Sequence, residues 1–209
     1  MREAREHMRF QSMIKSIFQA SILLMACALC WACGEHGDAG GAQTGPAASQ
    51  SNTASGLRFQ APFGWVAERP SSNMRVAQYR LPQAEGDPED GSLVLYYFGE
   101  GQGGSVQANL DRWVGQMEQP DGGSSKEKAR TETLTVNGLN ATLLDVSGTY
   151  TAEMMPGGGD RHNKANYRMR AAVVETPKGA YFVKLVGPEK TISRWDQGYM
   201  AFIKSFEFK

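Results

Sequence analysis

The first predicted elements are short β-strands, recognised by apolar side chains at every second position. Residues 57–59 and 65–67 show this alternation and flank a bend at residues 62–64. Residues 74–81 continue it, with their apolar positions on one face. Residues 93–98 are apolar on both faces. We therefore expect them to form the most buried strand, covered on one side by helices.

Two segments change to helical spacing. In the first, Ser105 is a good N-cap, and a single helix face collects Val106, Leu110, Trp113, Val114 and Met117. In the second, near the C-terminus, one face collects Ile192, Trp195, Tyr199, Phe202 and Ile203. Both patterns predict amphipathic helices that pack against a sheet.

Two hairpins separate these helices. Residues 131–151 turn at Asn137-Gly138, a strong signal for a two-residue hairpin turn. Residues 167–175 and 180–186 are expected to form the second hairpin. Its Arg168 and Arg170 alternate with apolar residues, so a solvated face is expected, with an arginine-lined recognition patch as the alternative. Consecutive hairpins impose antiparallel pairing. The predicted fold class is therefore α+β, an antiparallel sheet with helices packed on its faces.

The first 33 residues have the layout of a bacterial signal peptide. Four basic residues precede an apolar run at residues 17–32, and all three cysteines of the chain lie at its end. Met8 and Met13 are alternative starts to Met1. The run is shorter than the roughly 20 residues that a spanning helix needs, which argues against an uncleaved anchor.

Residues 24–27, Leu-Met-Ala-Cys, resemble the lipobox of bacterial lipoproteins, in which the cysteine is acylated. Cys33 competes with Cys27, because the change from apolar to polar sequence falls there. The resemblance implies a lipid anchor at Cys27 or Cys33 and a location in the cell envelope, facing the periplasm or the outside. The residues that follow the two cysteines, Ala28 and Gly34, do not resemble an inner-membrane retention signal, which favours the outer membrane.

Composition then divides the rest of the chain. Residues 34–56 contain no Val, Ile, Leu, Met or aromatic residue, so we expect a disordered Gly/Ala/Ser-rich tether. Residues 57–209 suit a single globular domain. Without residues 1–33, 18 Lys and Arg stand against 20 Asp and Glu, a balance that argues against nucleic-acid binding. The domain contains one histidine and no cysteine, which excludes disulfides, His/Cys zinc sites and cysteine nucleophiles.

The segment at residues 99–104 matches G-x-G-x-x-G between a strand and a helix. The chain then enters a hairpin, not the parallel strand that a dinucleotide site needs, so a turn is favoured over nucleotide binding. Capture of another anion at the helix start is a further alternative. Gly99, Gly101 and Gly104 are retained as candidate contact residues.

Two other segments carry side chains that could bind metal. Residues 85–90 are acidic but lack the register of a calcium loop, so a solvated turn is expected. Residues 152–166 form a long loop with Met154, Met155 and His162. Adjacent thioethers usually point apart, and a flexible loop holds the pair Asp160/His162 poorly for catalysis. These three residues are therefore predicted as contacts, with no metal, cofactor or catalytic residue assigned.

The opening residues 59–65, Phe-Gln-Ala-Pro-Phe-Gly-Trp, and the later strand-to-helix step resemble the PsbP-like family. That family includes the photosystem II subunit PsbP, Ran-binding Mog-type proteins and bacterial lipoproteins of unknown function. The resemblance spans residues 57–208. It implies a non-enzymatic accessory module that binds an envelope protein. A small-ligand-binding protein or a small hydrolase is the alternative, and titratable groups clustered in a pocket would favour it.

Overall fold

The structure is a computed structural model that describes residues 50–54, 56–155 and 157–209. Its strands are β1 Gln50–Ala54, β2 Leu57–Ala61, β3 Val66–Glu68, β4 Arg75–Leu81, β5 Gly91–Tyr97, β6 Met117–Glu118, β7 Arg130–Val136, β8 Leu139–Tyr150, β9 Lys164–Thr176, β10 Gly179–Pro188 and β11 Glu207–Phe208. Its helices are α1 Val106–Val114, α2 Ser125–Lys128, α3 Glu189–Arg194 and α4 Asp196–Lys204. The expected signal peptide, Cys27, Cys33 and residues 34–49 lie outside the described residues.

The strands form two antiparallel sheets. The larger sheet has the order β3-β4-β5-β10-β9-β8, and both β6 and β7 pair with β8. The smaller sheet has the order β1-β2-β11. The predicted turn at Asn137-Gly138 joins β7 to β8, with positive φ at both residues. The predicted α+β class, an antiparallel sheet with helices on its faces, is confirmed.

The first face of the larger sheet is covered by α3, α4 and the smaller sheet. Phe59 of β2 and Tyr79 of β4 meet Phe202 of α4, with ring centroids 5.6 and 6.1 Å apart. Phe206 lies 5.0 Å from Phe202. These aromatic side chains are almost fully buried and close the main hydrophobic core.

The second face is covered by α1. Ser105 caps this helix as predicted, its hydroxyl accepting a hydrogen bond from the amide of Ala108 at 3.2 Å. Leu110 and Trp113 are buried against β8 and β9. The helix has nine residues, about 14 Å at 1.5 Å per residue. Part of the second face extends beyond α1 and borders a cavity.

Two predicted elements differ from the structure. Residues 50–54 of the expected tether form β1, whose backbone pairs with β2; such pairing needs no apolar side chains. The expected C-terminal helix is divided at Trp195, whose indole Nε1 donates to the carbonyl of Pro82 at 2.9 Å. None of the helices in the described part of the chain has the length and apolar character needed to cross a membrane.

The pattern of burial also corrects the prediction for the central strands. Residues 169–174 of β9 are all buried, whereas the two C-terminal residues of β5 are only partly buried. β9 is more buried because it lies between β8 and β10 and is covered on both faces. Arg168 of β9 pairs with Asp145 of the neighbouring β8, and Arg170 pairs with Asp196 of α4, so these arginines do not form a solvated face.

Candidate functional site

A cavity of about 920 Å³ opens on the second face of the larger sheet. Alternate side chains of the neighbouring strands β5 and β10 form its floor. Val94 pairs with Lys184, and Tyr96 pairs with Phe182. These side chains point to one face because strand residues two positions apart do so. The cavity walls come from α1, from Gln116 and from residues 150–164.

Lys184 places a positive charge in this floor. Its Nζ atom donates hydrogen bonds to Oε1 of Gln116 at 2.5 Å and to the hydroxyl oxygen of Tyr150 at 3.1 Å. Burial lowers the pKa of Lys184 to about 8, and the positive charge of Arg112 adds to the effect. Within the described residues, the ammonium group has neutral hydrogen-bond partners and no carboxylate partner.

Tyr150 is the centre of an aromatic wall. Its ring stacks on His162, with centroids 5.2 Å apart, and on Tyr167 at 6.1 Å. Burial raises the pKa of Tyr150 to about 12, so its hydroxyl stays protonated at neutral pH. Tyr167 is 5% exposed, and its hydroxyl has no hydrogen-bond partner among the described residues.

Three more aromatic rings line the cavity, two of them, Tyr96 and Phe182, in its floor. Tyr96 and Phe98 are nearly parallel, with centroids 5.9 Å apart, and Phe98 lies 5.5 Å from Phe182. The guanidinium carbon of Arg75 lies 5.6 Å from the centroid of Tyr96. This arrangement offers a flat apolar surface with cations near its edge.

Two more arginines lie at the exposed rim. The Nη2 atom of Arg112 donates to Oδ1 of Asn109 at 2.6 Å. The Nε atom of Arg161 donates to the carbonyl of Thr151 at 2.6 Å. Both side chains are held by neutral acceptors, and neither has a carboxylate partner among the described residues. Their positive charges therefore remain available at the cavity mouth.

The acidic residues of the predicted solvated turn have separate partners. Asp87 accepts from the backbone amide and hydroxyl of Thr191, Glu89 pairs with Lys164 at 2.5 Å, and Asp90 pairs with Arg80 at 2.6 Å. The Arg80 hydrogen bond lowers the pKa of Asp90. No group of three or more His, Cys, Asp or Glu residues in the described ranges is arranged to hold a metal ion.

The predicted contact loop at residues 152–166 borders the cavity. Its two arms pair through Glu153 and Arg161, and the amide of His162 donates to the carbonyl of Ala152 at 2.9 Å. His162 and Met154 line the cavity. Met155 is 68% exposed and does not line it. The length of this segment singled it out in the sequence. The structure shows that pairing between its two arms holds it together.

Gly99, Gly101 and Gly104 lie beside the cavity but do not line it. All three have positive φ, as in a tight turn. The loop passes over Phe182 of the cavity floor. A Cβ atom at Gly103 would lie 2.5 Å from the ring of Phe182. Gly103 therefore packs against this ring, whereas a Cβ atom at Gly99, Gly101 or Gly104 would not meet it.

Sequence reasoning did not single out Lys184, Gln116 or Tyr150. The available signal was the lysine inside the apolar run of residues 181–186, Tyr-Phe-Val-Lys-Leu-Val. A charged residue in a strand covered on both faces needs a partner or a polar cavity. Arg112 was also missed, because exposed arginines on a helix are common.

Comparison with known proteins gave structural similarities only. No family model matches the chain, and no curated protein matches it. The cyanobacterial PsbP (CyanoP) of Synechocystis sp. PCC 6803 is similar over 83% of this chain and 98% of its own, at 15% identity and a TM-score of 0.48. The family that the sequence resembles is thus represented among the similar structures.

Two further solved structures are similar, both at 12% identity. LpqN, involved in cell envelope biogenesis of Mycobacterium tuberculosis, matches over 77% of this chain and 85% of its own, with a TM-score of 0.47. PA94, a protein of unknown function from Pseudomonas aeruginosa, matches over 77% of this chain and 97% of its own, with a TM-score of 0.43.

Proposed function

We propose that this chain is a lipid-anchored binding module of the cell envelope, and that its cavity holds a small amphipathic molecule. The observation that carries the proposal is Lys184, a cation set in an aromatic and apolar floor. Ligand sites are typically concave and largely apolar, with a few converging polar groups. Because Lys184, Tyr150 and His162 converge in one cavity, small-ligand binding is favoured over protein binding as the primary role.

Binding is also favoured over hydrolysis. A catalytic imidazole is commonly oriented by an acid that accepts a hydrogen bond from Nδ1. Nδ1 of His162 has no hydrogen-bond partner among the described residues, and no hydrogen bond joins His162 to Asp160 there. The ring is instead held flat against Tyr150, as a wall of a binding site would be.

The anchor and the partners are part of the same proposal. Acylation at Cys27 or Cys33 would attach the chain to a membrane, with the outer membrane favoured over the inner. An envelope protein is proposed as a second partner. The exposed side chains of Met154 and Met155 give such a partner an adaptable apolar surface at the cavity mouth.

Blocking the cavity tests this proposal. Val186 lines the cavity, so Val186→Trp would fill space there, whereas Val66→Trp places the same bulk on an exposed strand away from it. Full-length acylated protein in lipid nanodiscs is titrated by calorimetry with naphthoate, indole acetate, octanoate and their amides. Empty nanodiscs supply the blank.

We expect at least one compound to bind wild type and Val66→Trp equally and to lose at least about tenfold in affinity for Val186→Trp. A Val186→Trp protein that melts like wild type but binds every ligand as tightly would reject the cavity as the site. Absence of binding by all six compounds would also count against the proposal.

A further inference from the structure

We infer that the cavity selects organic anions, with Lys184 receiving the acid group and the aromatic walls receiving an apolar body. This inference rests on the proposed function and specifies its ligand class. The acid group is a carboxylate or another anionic group of similar size. The body is a planar or extended hydrocarbon.

The charge of the lining is the first argument. Five cationic residues and three carboxylates line the cavity. Two of these carboxylates are already paired, Glu89 with Lys164 and Asp90 with Arg80, which lies outside the lining. The remaining one, Glu153, accepts from the backbone amide of Gly157. The lining therefore carries an excess of positive charge, which would attract a bound anion, although the chain after residue 33 is slightly acidic.

An unsatisfied donor is the second, independent argument. Tyr167 lines the cavity, and its buried hydroxyl has no hydrogen-bond partner among the described residues. A buried polar group without a partner is costly, and its presence commonly marks an absent partner. Because Tyr167 stacks on Tyr150, which contacts Lys184, an acid group near Lys184 has a second neutral donor in the same wall.

The surroundings of Lys184 argue against a cationic ligand. Its strand neighbours are Val94 on β5 and Ala171 on β9, which are apolar. Across the cavity it faces Gln116 and Tyr150, which are neutral, and Arg112, which is positive. An anion would compensate both Lys184 and Arg112, whereas a cation would add to their mutual repulsion.

Proton uptake follows from this geometry. Free Lys184 has a pKa of about 8, and a bound anion would stabilise its charged form and raise that pKa. Around pH 8, where about half of free Lys184 is already protonated, anion binding would therefore be coupled to uptake of a fraction of a proton.

The experiment uses the same nanodisc preparation and compares each carboxylate with its own amide. At pH 7 we expect the carboxylate to bind at least about tenfold more tightly, as for a charge-assisted hydrogen bond. Lys184→Met should remove most of this preference, so that each carboxylate and its amide bind with similar affinity. Lys184→Arg should retain the preference and abolish proton uptake, measured at pH 8 in buffers of different ionisation enthalpy.

Two outcomes separate this inference from the proposed function. If amides bind as well as carboxylates and Val186→Trp still blocks them, the cavity is the site but anion selection is wrong. If Lys184→Met prefers carboxylates over amides as strongly as wild type does, Lys184 is not the group that receives the acid. Thermal melting of each variant verifies that the domain is folded.

Discussion

The side chains of Tyr150 and Lys184 meet across the sheet, with the hydroxyl oxygen 3.1 Å from Nζ. Tyr150 follows a shift in register between β8 and β9 that falls after Gly148. A Cβ atom at Gly148 would lie 2.5 Å from the carbonyl oxygen of Glu118, so only glycine allows β6 to approach there. Such an irregularity re-aims the side chains beyond it. The bend places Tyr150 over the cavity.

Lys184 should reduce stability at neutral pH. Its pKa is about 8 in the folded chain, against an ordinary 10.5, a difference that costs at most about 3 kcal/mol. The unfolded chain binds more protons between these values, so the destabilisation is complete below pH 8 and disappears as pH rises toward 10.5. Lys184→Met should raise the unfolding free energy by about 1–2 kcal/mol at pH 7, after its lost hydrogen bonds are subtracted.

Urea denaturation at pH 7 and pH 10, followed by tryptophan fluorescence, checks this prediction. The advantage of Lys184→Met should shrink at the higher pH. Equal differences at both pH values would show that the lysine is not held in a desolvated, charged state.

The ion pair between Arg168 and Asp145 should stabilise the domain. Arg168 donates from Nε to Oδ1 at 2.8 Å and from Nη2 to Oδ2 at 2.7 Å. Burial opposes ionisation of Asp145, but the hydrogen bonds and charge of Arg168 outweigh it and lower its pKa. Asp145→Asn should cost about 1–3 kcal/mol at pH 7.

This stabilisation is present above the ordinary aspartate range and is lost as pH falls through the lowered pKa. The difference in unfolding free energy between wild type and Asp145→Asn should therefore become smaller in acid. The exposed pair Lys128–Asp121 supplies the control, since Asp121→Asn should change stability little. If Asp121→Asn lost as much unfolding free energy as Asp145→Asn, the partly buried pair Arg168–Asp145 would not have the stabilising role assigned to it.

Gly103 should tolerate no side chain. Its φ is +91°, and a Cβ atom would lie 2.5 Å from Phe182. Gly101 has φ +68° but open space around its Cβ position. Gly101→Ala should thus cost about 1 kcal/mol for backbone strain alone. Gly103→Ala should lower the unfolding free energy by about 1–2 kcal/mol more than Gly101→Ala does, because the ring of Phe182 must shift.

Chemical denaturation of the two alanine variants separates strain from the clash. The ligand titrations described above add a second measure, because only the Gly103 variant displaces Phe182. Equal stability and equal ligand affinity of the two variants would indicate that this loop does not hold Phe182 in place.

Acylation should depend on one cysteine. Expressing the full chain in a bacterial host with an acyl-chain label should give a labelled band that either Cys27→Ala or Cys33→Ala abolishes. The variant that still takes up the acyl label lacks the cysteine that is not acylated. If wild type takes up no label in a host that acylates a control lipoprotein, the anchor proposal is wrong.

Local features of the fold were predictable from sequence. Ser105 with its apolar helix face predicted α1, and Asn137-Gly138 predicted the β7–β8 hairpin. Both signals lie within a few residues of the structure they specify, because caps and turns are formed by neighbouring backbone groups. The division at Trp195 was not predictable in this way. It coincides with a hydrogen bond to Pro82, which is 113 residues distant.

The proposed binding site could not be predicted from the sequence for the same reason. The sequence by itself determined the alternation that places Lys184 on one face of a strand, and the long loop that carries His162. Tertiary structure decided what Lys184 meets: Tyr150 and Gln116 are 34 and 68 residues away. Strand order and the bend after Gly148 bring them together, because sheet pairing joins segments regardless of their separation along the chain.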